Sequence, residues 1–329
     1  MDPLSQAVLG ASASQSFTKN NKQLGVALII GWLSAMAPDL DIFIYSTDDP
    51  LLFLEFHRQF THSLIFIPIG ALFCSAIFYL FFHKKISFKE IYLYAFLGYA
   101  THGLLDACTS YGTQLFWPFS NERFSWNNVA IIDPLFTIPI LILIILAFYK
   151  KRALFSMIAF GYALAYLSLG LFQNQRAETA LINLAKERGH QPQRIVAKPT
   201  FGNLILWKLI YEHQGRYYID AVKITTKTKI IEGESINKLS LLSDLPWLDT
   251  QSIQAQDVER FRWFSDNYLA LHPEKNDTVI DVRYSLLPHK LSPLWGIRLT
   301  PEHQDKHVDY IITRKLTSDK NNEFIKMLF

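Results

Sequence analysis

Cysteine is scarce in this 329-residue sequence, which has only Cys74 and Cys108. Both lie within apolar runs, where cysteine behaves as a small buried hydrophobic residue, so the sequence predicts no disulfide framework. The first residues lack a basic region followed by a small-residue cleavage site, so we expect no removable signal peptide. The net charge of +3 is small and scattered. Without a basic tract it argues against a nucleic-acid partner.

Apolar residues are abundant but unevenly placed. Hydrophobic residues make up 50% of the sequence and aromatic residues 14%, which is high for a soluble protein. Residues 1–172 hold ten Lys/Arg and ten Asp/Glu, whereas residues 173–329 hold twenty-two and nineteen. We therefore predict a transmembrane helical domain over residues 1–172 and a smaller soluble α+β domain over residues 173–329.

The first domain is predicted to have about five to six helices. The N-terminal stretch is short and rich in small residues, which suits close helix packing. Pro38 is expected to kink or end the next helix. Five further apolar runs approach or reach the length needed to cross a bilayer. They cover residues 24–45, 64–82, 91–108, 129–149 and 153–172.

Basic residues in the short loops predict the orientation of these helices. Eight Lys/Arg fall in loops on one side, against only Arg58 and Arg123 on the other. Because cationic loops stay in the cytoplasm, we predict that the loops with Arg58 and Arg123 lie outside. In a bacterium this means a protein of the inner membrane with a periplasmic C-terminal domain.

The soluble half shows a helix pattern at residues 176–188 and several alternating, strand-like segments. It has no glycine-rich phosphate loop and no nucleophile elbow. His303 and His307 have an i, i+4 spacing, but their surroundings are so polar that a solvated turn is the favoured interpretation. This half therefore offers no clear chemistry of its own.

Seven ionisable residues of the helical half are predicted to share the outer leaflet. Charged groups inside a membrane are costly, so each of them is a functional candidate. The seven are Asp39, Asp41, His57, His62, His102, Asp106 and Asp133. Asp133 is the exception among them, because it precedes Pro134 and its expected role is to cap a helix.

The remaining residue types and their spacing suit a divalent metal ion. His102 and Asp106, four residues apart on a helix, can reach one ion. His57 and His62 cannot share one helical face, so they come from a loop-to-helix junction or bind different ions. A ligand set without thiolate favours a catalytic site with an open position. A purely structural polar network and an ion pathway stay open as alternatives, although the inner halves of the helices are almost wholly apolar.

Five motifs of the first 150 residues resemble those of bacterial inner-membrane metal-dependent hydrolases, some of them described as LexA-binding. They are MDPLSQAVLGA at residues 1–11, PDLD at 38–41, HRQFTHS at 57–63, THGLLD at 101–106, and YGTQ at 111–114 with PFS at 118–120. More remotely, the ligand pattern is similar to that of zinc-dependent phospholipase C, which implies zinc and phosphoester hydrolysis. Many family members have Thr-His where this chain has Ser5-Gln6.

We therefore expect a membrane-bound hydrolase of an ester or phosphoester at the periplasmic face. Its hypothetical metal ligands are His57, His62, His102, Asp106 and Asp39. Asp41 would bridge the metal or accept a proton, and Arg58 would offset charge on a substrate oxyanion. The expected partners are the lipid bilayer and a small-molecule or lipid substrate, with a protein partner for the C-terminal domain. The competing class is a non-catalytic membrane scaffold or an ion carrier.

Overall fold

The structure is a computed structural model that describes residues 1–313 and 317–329. These residues form two compact units. The helical unit comprises Met1–Phe43, Phe56–Gln173 and Phe201–Leu204. The C-terminal unit comprises Ile44–Glu55, Asn174–Thr200 and Ile205–Phe329.

Seven α-helices occupy the first 187 residues, linked by short 3-10 turns. They are α1 (Pro3–Ser16), α2 (Leu24–Met36), α3 (Leu52–Phe56), α4 (Ile67–Phe82), α5 (Phe88–Cys108), α6 (Pro134–Lys150) and α7 (Leu154–Glu187). The 3-10 turns are Asn21–Gln23, Ala37–Phe43, Phe60–His62 and Leu64–Phe66. The turn that begins at Ala37 has Pro38 as its second residue, so the helix ends where proline was expected to end it.

Local sequence explains where several helices begin. Asp2 accepts a hydrogen bond from the Ser5 N–H at the start of α1. Ser87 and Glu90 form a reciprocal capping box at the start of α5. Asp133 accepts bonds from two N–H groups of α6, with Pro134 at the first helical position. The capping role that the sequence predicted for Asp133 is thus confirmed.

Helices α1, α2 and α5 pack unusually closely through small residues. A Cβ atom added to Gly98 would lie 2.5 Å from the carbonyl oxygen of Gly31, and one added to Gly10 would lie 2.3 Å from the Cβ of Ala35. Such close backbone approach is typical of helices that associate within membranes. It brings the C-terminal end of α5 next to the turn that follows α2.

The expected number of membrane-crossing helices was too high. Within the described residues, three helical segments are long and apolar enough to cross a bilayer: Asn21–Phe43, Leu64–Phe82 and Leu154–Glu187. Helix α6 is apolar but has only 17 residues. Helix α5 has 21 residues but carries buried polar side chains such as His102 and Asp106. The fifth apolar run and the predicted helix at 176–188 form one continuous helix, because the residues 173–175 that join them include no proline or glycine.

Two antiparallel four-stranded sheets make up most of the C-terminal unit, and each follows chain order. The first sheet contains β1 (Arg194–Pro199), β2 (Leu206–His213), β3 (Arg216–Ile224) and β4 (Thr228–Asn237). The second contains β5 (Leu269–His272), β6 (Lys275–Asp281), β7 (Trp295–Arg298) and β8 (Asp309–Ile312). The other helical segments are α8 (Leu241–Asp244), α9 (Ile253–Phe264), the 3-10 turn Pro301–His303 and α10 (Ser318–Leu328).

The two sheets share an apolar core that also contains an unusual pair of lysines. Ile210 and Ile219 of the first sheet pack in one cluster with Ile280 of the second. On the same face, Lys198 of β1 stands directly opposite Lys208 of β2, and both are buried. Like charges in this cross-strand position are unfavourable, and burial lowers the pKa of both lysines, so this core favours their neutral forms.

Candidate metal centre

Three separate chain segments contribute four side chains to one cluster in the helical unit. Asp39 lies on the turn Ala37–Phe43, His62 ends the turn Phe60–His62, and His102 and Asp106 lie one turn apart on α5. One ligand atom of each of the four lies within 4.8 Å of the others. We call Asp39, His62, His102 and Asp106 the four-residue cluster.

The ligand atoms of this cluster face a common point. The Nε2 atoms of His62 and His102 are 2.9 Å apart. Asp39 Oδ1 lies 3.2 Å from His102 Nε2 and 3.4 Å from His62 Nε2. Asp106 Oδ2 lies 3.5 Å from His62 Nε2 and 3.8 Å from His102 Nε2. Two nitrogens and two carboxylate oxygens are a donor set typical of divalent transition metals.

The opposite ring nitrogens determine which atoms can bind a cation. His102 Nδ1 donates to the carbonyl oxygen of Ala35. His62 Nδ1 lies 2.9 Å from the Thr61 hydroxyl oxygen and 3.2 Å from Asp41 Oδ2. Since the Thr61 hydroxyl donates its own proton to Asp41, the Thr61 oxygen acts as an acceptor for His62. Both neutral imidazoles thus carry their proton on Nδ1 and present a lone pair at Nε2.

This tautomer assignment places two lone pairs opposite each other across 2.9 Å. Such an arrangement is repulsive unless a cation, either a proton or a metal ion, lies between the nitrogens. Burial alone would lower the pKa of His62, but hydrogen bonds to Asp106, Asp39 and Asp41 raise it to about 10. The surroundings of His62 therefore strongly favour a positive charge at this point.

Asp106 is bonded through one oxygen and directs the other into the cluster. Its Oδ1 accepts from Gln6 Nε2 at 2.8 Å and from the Met1 amino group. Its Oδ2 lies 3.0 Å from Arg58 Nε but has no partner of normal hydrogen-bond geometry among the described residues. A buried carboxylate oxygen without such a partner is costly, so this oxygen also fits a bound cation.

Asp41 organises the loop that brings His57 and His62 to the site. It is 3% exposed, and its Oδ1 lies 2.7 Å from His57 Nδ1. Its Oδ2 accepts from the backbone N–H of Arg58 at 3.1 Å and from the Thr61 hydroxyl at 2.8 Å. Asp41, His57 and His62 also form a second group with spacing suitable for a metal ion. His62 therefore belongs to both groups, through different nitrogens.

Arg58 occupies a sharp bend between the two histidines. Its φ angle of 68° lies in the left-handed region, which is uncommon for residues other than glycine. The side chain is 4% exposed, donates to Thr109 Oγ1 at 3.1 Å and has its guanidinium 5.0 Å from the ring centre of Tyr111. The guanidinium thus supplies a buried positive charge beside Asp106.

Gly103 allows the two halves of the four-residue cluster to approach each other. A Cβ atom added there would lie 2.3 Å from the carbonyl oxygen of His62. Any larger residue would push α5, with His102 and Asp106, away from the segment that carries His62. The sequence motif contained this glycine, but its role is visible only in the structure.

The side chains of the four-residue cluster differ in their exposure to solvent. The side chains of His62, His102 and Asp106 are fully buried, whereas that of Asp39 is 24% exposed. The neighbouring His57 side chain is 29% exposed, and burial lowers its pKa although the hydrogen bond that it donates to Asp41 acts to raise it. A substrate or water molecule would therefore reach the cluster on the side of Asp39 and His57.

Other sequence candidates lie outside the cluster. Asp133 caps α6 and also accepts from the Tyr166 hydroxyl at 2.8 Å. Gln6 donates from Nε2 to Asp106 Oδ1 at 2.8 Å. In the C-terminal unit, His307 Nδ1 lies 2.9 Å from Asp257 Oδ2. His303 belongs to none of the metal-like groups found in the described ranges.

The fold and the cluster define a helical membrane protein with buried histidines and carboxylates at the ends of its helices and a β-rich C-terminal unit. Residues 1–177, more than half of the chain, match the profile of the YdjM inner membrane protein family. The chain belongs to this family. Together with the apolar helices, this membership supports a location in the bacterial inner membrane.

Two curated proteins are similar to parts of the chain. The uncharacterized protein YfhP of Bacillus subtilis (strain 168) is 29% identical over 109 residues, which are 33% of this chain and 33% of YfhP. The inner membrane protein YbcI of Escherichia coli (strain K12) is 32% identical over 99 residues, 30% of this chain and 56% of YbcI. The similarity thus spans a third to about half of these relatives. No solved structure matches the chain.

These comparisons support the inner-membrane part of the resemblance that the motifs suggested. They show neither a metal-dependent hydrolase nor a likeness to phospholipase C, and the names of the two relatives state no cofactor or activity. The chemistry of this chain therefore has to be argued from its own residues.

Proposed function

We propose that the protein is a membrane-bound, metal-dependent hydrolase that cleaves an ester or phosphoester at the periplasmic face of the inner membrane. The observation that carries the proposal is the pair of imidazole Nε2 atoms 2.9 Å apart, bordered by one oxygen each of Asp39 and Asp106. This donor set lacks thiolate and fits zinc, which in such sites acidifies water and polarises the bond to be cleaved.

Each side chain has a role in this proposal. His62, His102, Asp39 and Asp106 would hold the metal. The role of Asp41 is to hold the Nδ1 sides of His57 and His62, as carboxylates do behind metal-bound histidines. His57 is either a further ligand or, because it is the most exposed imidazole of the site, the group that exchanges a proton with the substrate.

Arg58 would offset negative charge. Three carboxylates, Asp39, Asp41 and Asp106, surround the two buried imidazoles. The Arg58 guanidinium, 3.0 Å from Asp106, is a fixed positive charge beside this group. It would stabilise the extra negative charge that develops on a substrate oxyanion during ester cleavage.

Hydrolysis of model substrates tests the proposed activity. We expect detergent-purified protein to cleave bis(p-nitrophenyl) phosphate or p-nitrophenyl acetate, to lose this activity with a chelator and to regain it with zinc. The His102→Ala variant should be inactive, because it removes a nitrogen ligand. Zinc-loaded protein that cleaves neither substrate class nor lipid phosphoesters in vesicles would contradict a hydrolase.

The proposed periplasmic location is tested separately. With three spans, eight basic residues lie near the span ends on one side of the membrane, whereas Arg58 lies in the loop on the other side. This bias favours an outer position for Arg58 and for the C-terminal unit. A reporter fused after Phe329 should therefore give a periplasmic signal. A cytoplasmic signal would remove the argument that the site opens to the periplasm.

A further inference from the structure

The residues between Asp41 and His57 have an unusual position in the fold. Asp41 and His57 contact each other at 2.7 Å within the helical unit. The intervening segment Ile44–Glu55, however, belongs to the C-terminal unit. The chain thus leaves the helical unit after Phe43 and re-enters it at Phe56. The segment forms the loop that joins one part of the candidate site to the next.

The guanidinium of Arg260 in α9 binds two carboxylates of this segment. Its Nη1 and Nη2 donate to the two oxygens of Asp49 at 3.0 Å and 2.8 Å, and its Nε donates to Glu55 Oε1 at 2.5 Å. A fourth bond joins Nη1 to Asp257 Oδ1 at 2.8 Å. A planar guanidinium suits such multidentate binding, whereas a lysine ammonium does not.

The residues of the C-terminal unit that contact this segment are held in place by further contacts. Asp257, in the first half of α9, accepts from the Val308 N–H at 3.0 Å and lies 2.9 Å from His307 Nδ1. The Phe53 ring packs edge-on against Tyr310 of β8, with ring centres 5.4 Å apart. The segment Ile44–Glu55 is therefore tied to both α9 and the start of β8.

We infer that Arg260 is a positioning residue for the metal centre, an inference that rests on the function proposed above. Asp49, Glu55 and Asp257 converge on this one guanidinium. Without it, the three carboxylates would lose the cation that they share, and their repulsion would release the segment. The loop ends that carry Asp41 and His57 would then lose the fixed separation on which their mutual bond depends.

This arrangement also assigns a role to the C-terminal unit. By holding Ile44–Glu55 it keeps the loop between Asp41 and His57 in one conformation. Asp49, Asp257 and His307 have spacing that could hold a metal ion of their own. Asp49 and Asp257 already bind the Arg260 guanidinium, so a positive charge is present beside these two carboxylates and a second metal is not needed there.

Metal affinity of the full-length, detergent-solubilised protein tests this inference, with Co²⁺ as a spectroscopic probe. We expect Arg260→Ala to weaken Co²⁺ binding by about tenfold to a hundredfold, as loss of groups behind metal ligands does, and to change the visible spectrum of bound Co²⁺. The double variant Asp49→Asn/Glu55→Gln should also weaken Co²⁺ binding and change the visible spectrum of bound Co²⁺. It weakens the bonds from Arg260 to the segment and leaves α9 and the Arg260–Asp257 bond unchanged, so it tests the inference even if Arg260→Ala unfolds the C-terminal unit.

Two controls match these variants. Arg262→Ala removes an arginine of the same helix that bonds Glu259 and Asn267, and Asp48→Asn removes one exposed charge from the same segment. Both should bind Co²⁺ like the wild type. If the wild type binds Co²⁺ and the Arg260 and Asp49/Glu55 variants bind it equally well, the inference is wrong and the proposed metal site stands. If the wild type binds no metal, both the inference about Arg260 and the proposed metal site are wrong.

Discussion

Replacing Gly103 by alanine should disturb the metal centre without touching a ligand. The new Cβ would lie 2.3 Å from the His62 carbonyl oxygen, and ordinary contact begins at 3.4 Å, so the backbones must separate by about 1 Å. Whether α5 or the His62 segment moves, the distance between His62 Nε2 and His102 Nε2 changes. Overpacking of this kind costs about 1–3 kcal/mol, and we expect metal affinity to fall by about tenfold or more.

The assay is a competition titration of Zn²⁺ against a chromophoric chelator, with thermal unfolding measured on the same samples. Gly161→Ala is the matched control, since nothing lies within 4 Å of the added Cβ. That change should leave zinc affinity unchanged and stabilise α7 by about 0.5–1 kcal/mol, because alanine favours helix more than glycine does. Wild-type zinc affinity in Gly103→Ala would refute the close approach of α5 to His62.

Two further predictions concern stability. Burial lowers the pKa of Lys208 to about 7. Between pH 7 and 10.5 the unfolded chain therefore binds more protons than the folded one. The free energy of unfolding of the C-terminal unit should fall by up to about 1.4 kcal/mol for each pH unit by which the pH is lowered. Lys208→Met should reduce this slope and raise stability at pH 7, measured by hydrogen exchange of the β2 amides. An unchanged slope would contradict the lowered pKa of Lys208. Asp133→Ala removes the cap of α6 and the bond from Tyr166. It should lower the free energy of unfolding by about 1 kcal/mol or more, measured by thermal unfolding, and leave zinc affinity unchanged. Weaker zinc binding would instead make Asp133 part of the site.

The sequence was most informative where local spacing determines geometry. The i, i+4 pair of His102 and Asp106 follows directly from helix periodicity, and the Asp133-Pro134 cap from backbone chemistry. Periodicity also showed that His57 and His62 cannot share one helical face, which left a loop-to-helix junction or two different ions as the alternatives, and the structure has a bend at Arg58 between them. These features depend on residues close together in the chain.

Features that depend on distant residues were not predictable in this way. Nothing in the sequence pairs Asp49 or Glu55 with Arg260, which lies more than 200 residues away. The lysine pair needs the register of β1 against β2, which one sequence does not specify. The excess of predicted membrane helices has a similar cause, since hydropathy does not show that α5 packs at the centre of its neighbours.

Metal analysis of the purified protein tests the central claim most directly. Wild-type protein in detergent should retain about one or more zinc, manganese or iron ions per chain after desalting. The His62→Ala/His102→Ala variant should retain none while keeping the helical circular-dichroism spectrum of the wild type. Wild-type protein without stoichiometric metal, even after incubation with zinc, would contradict the account.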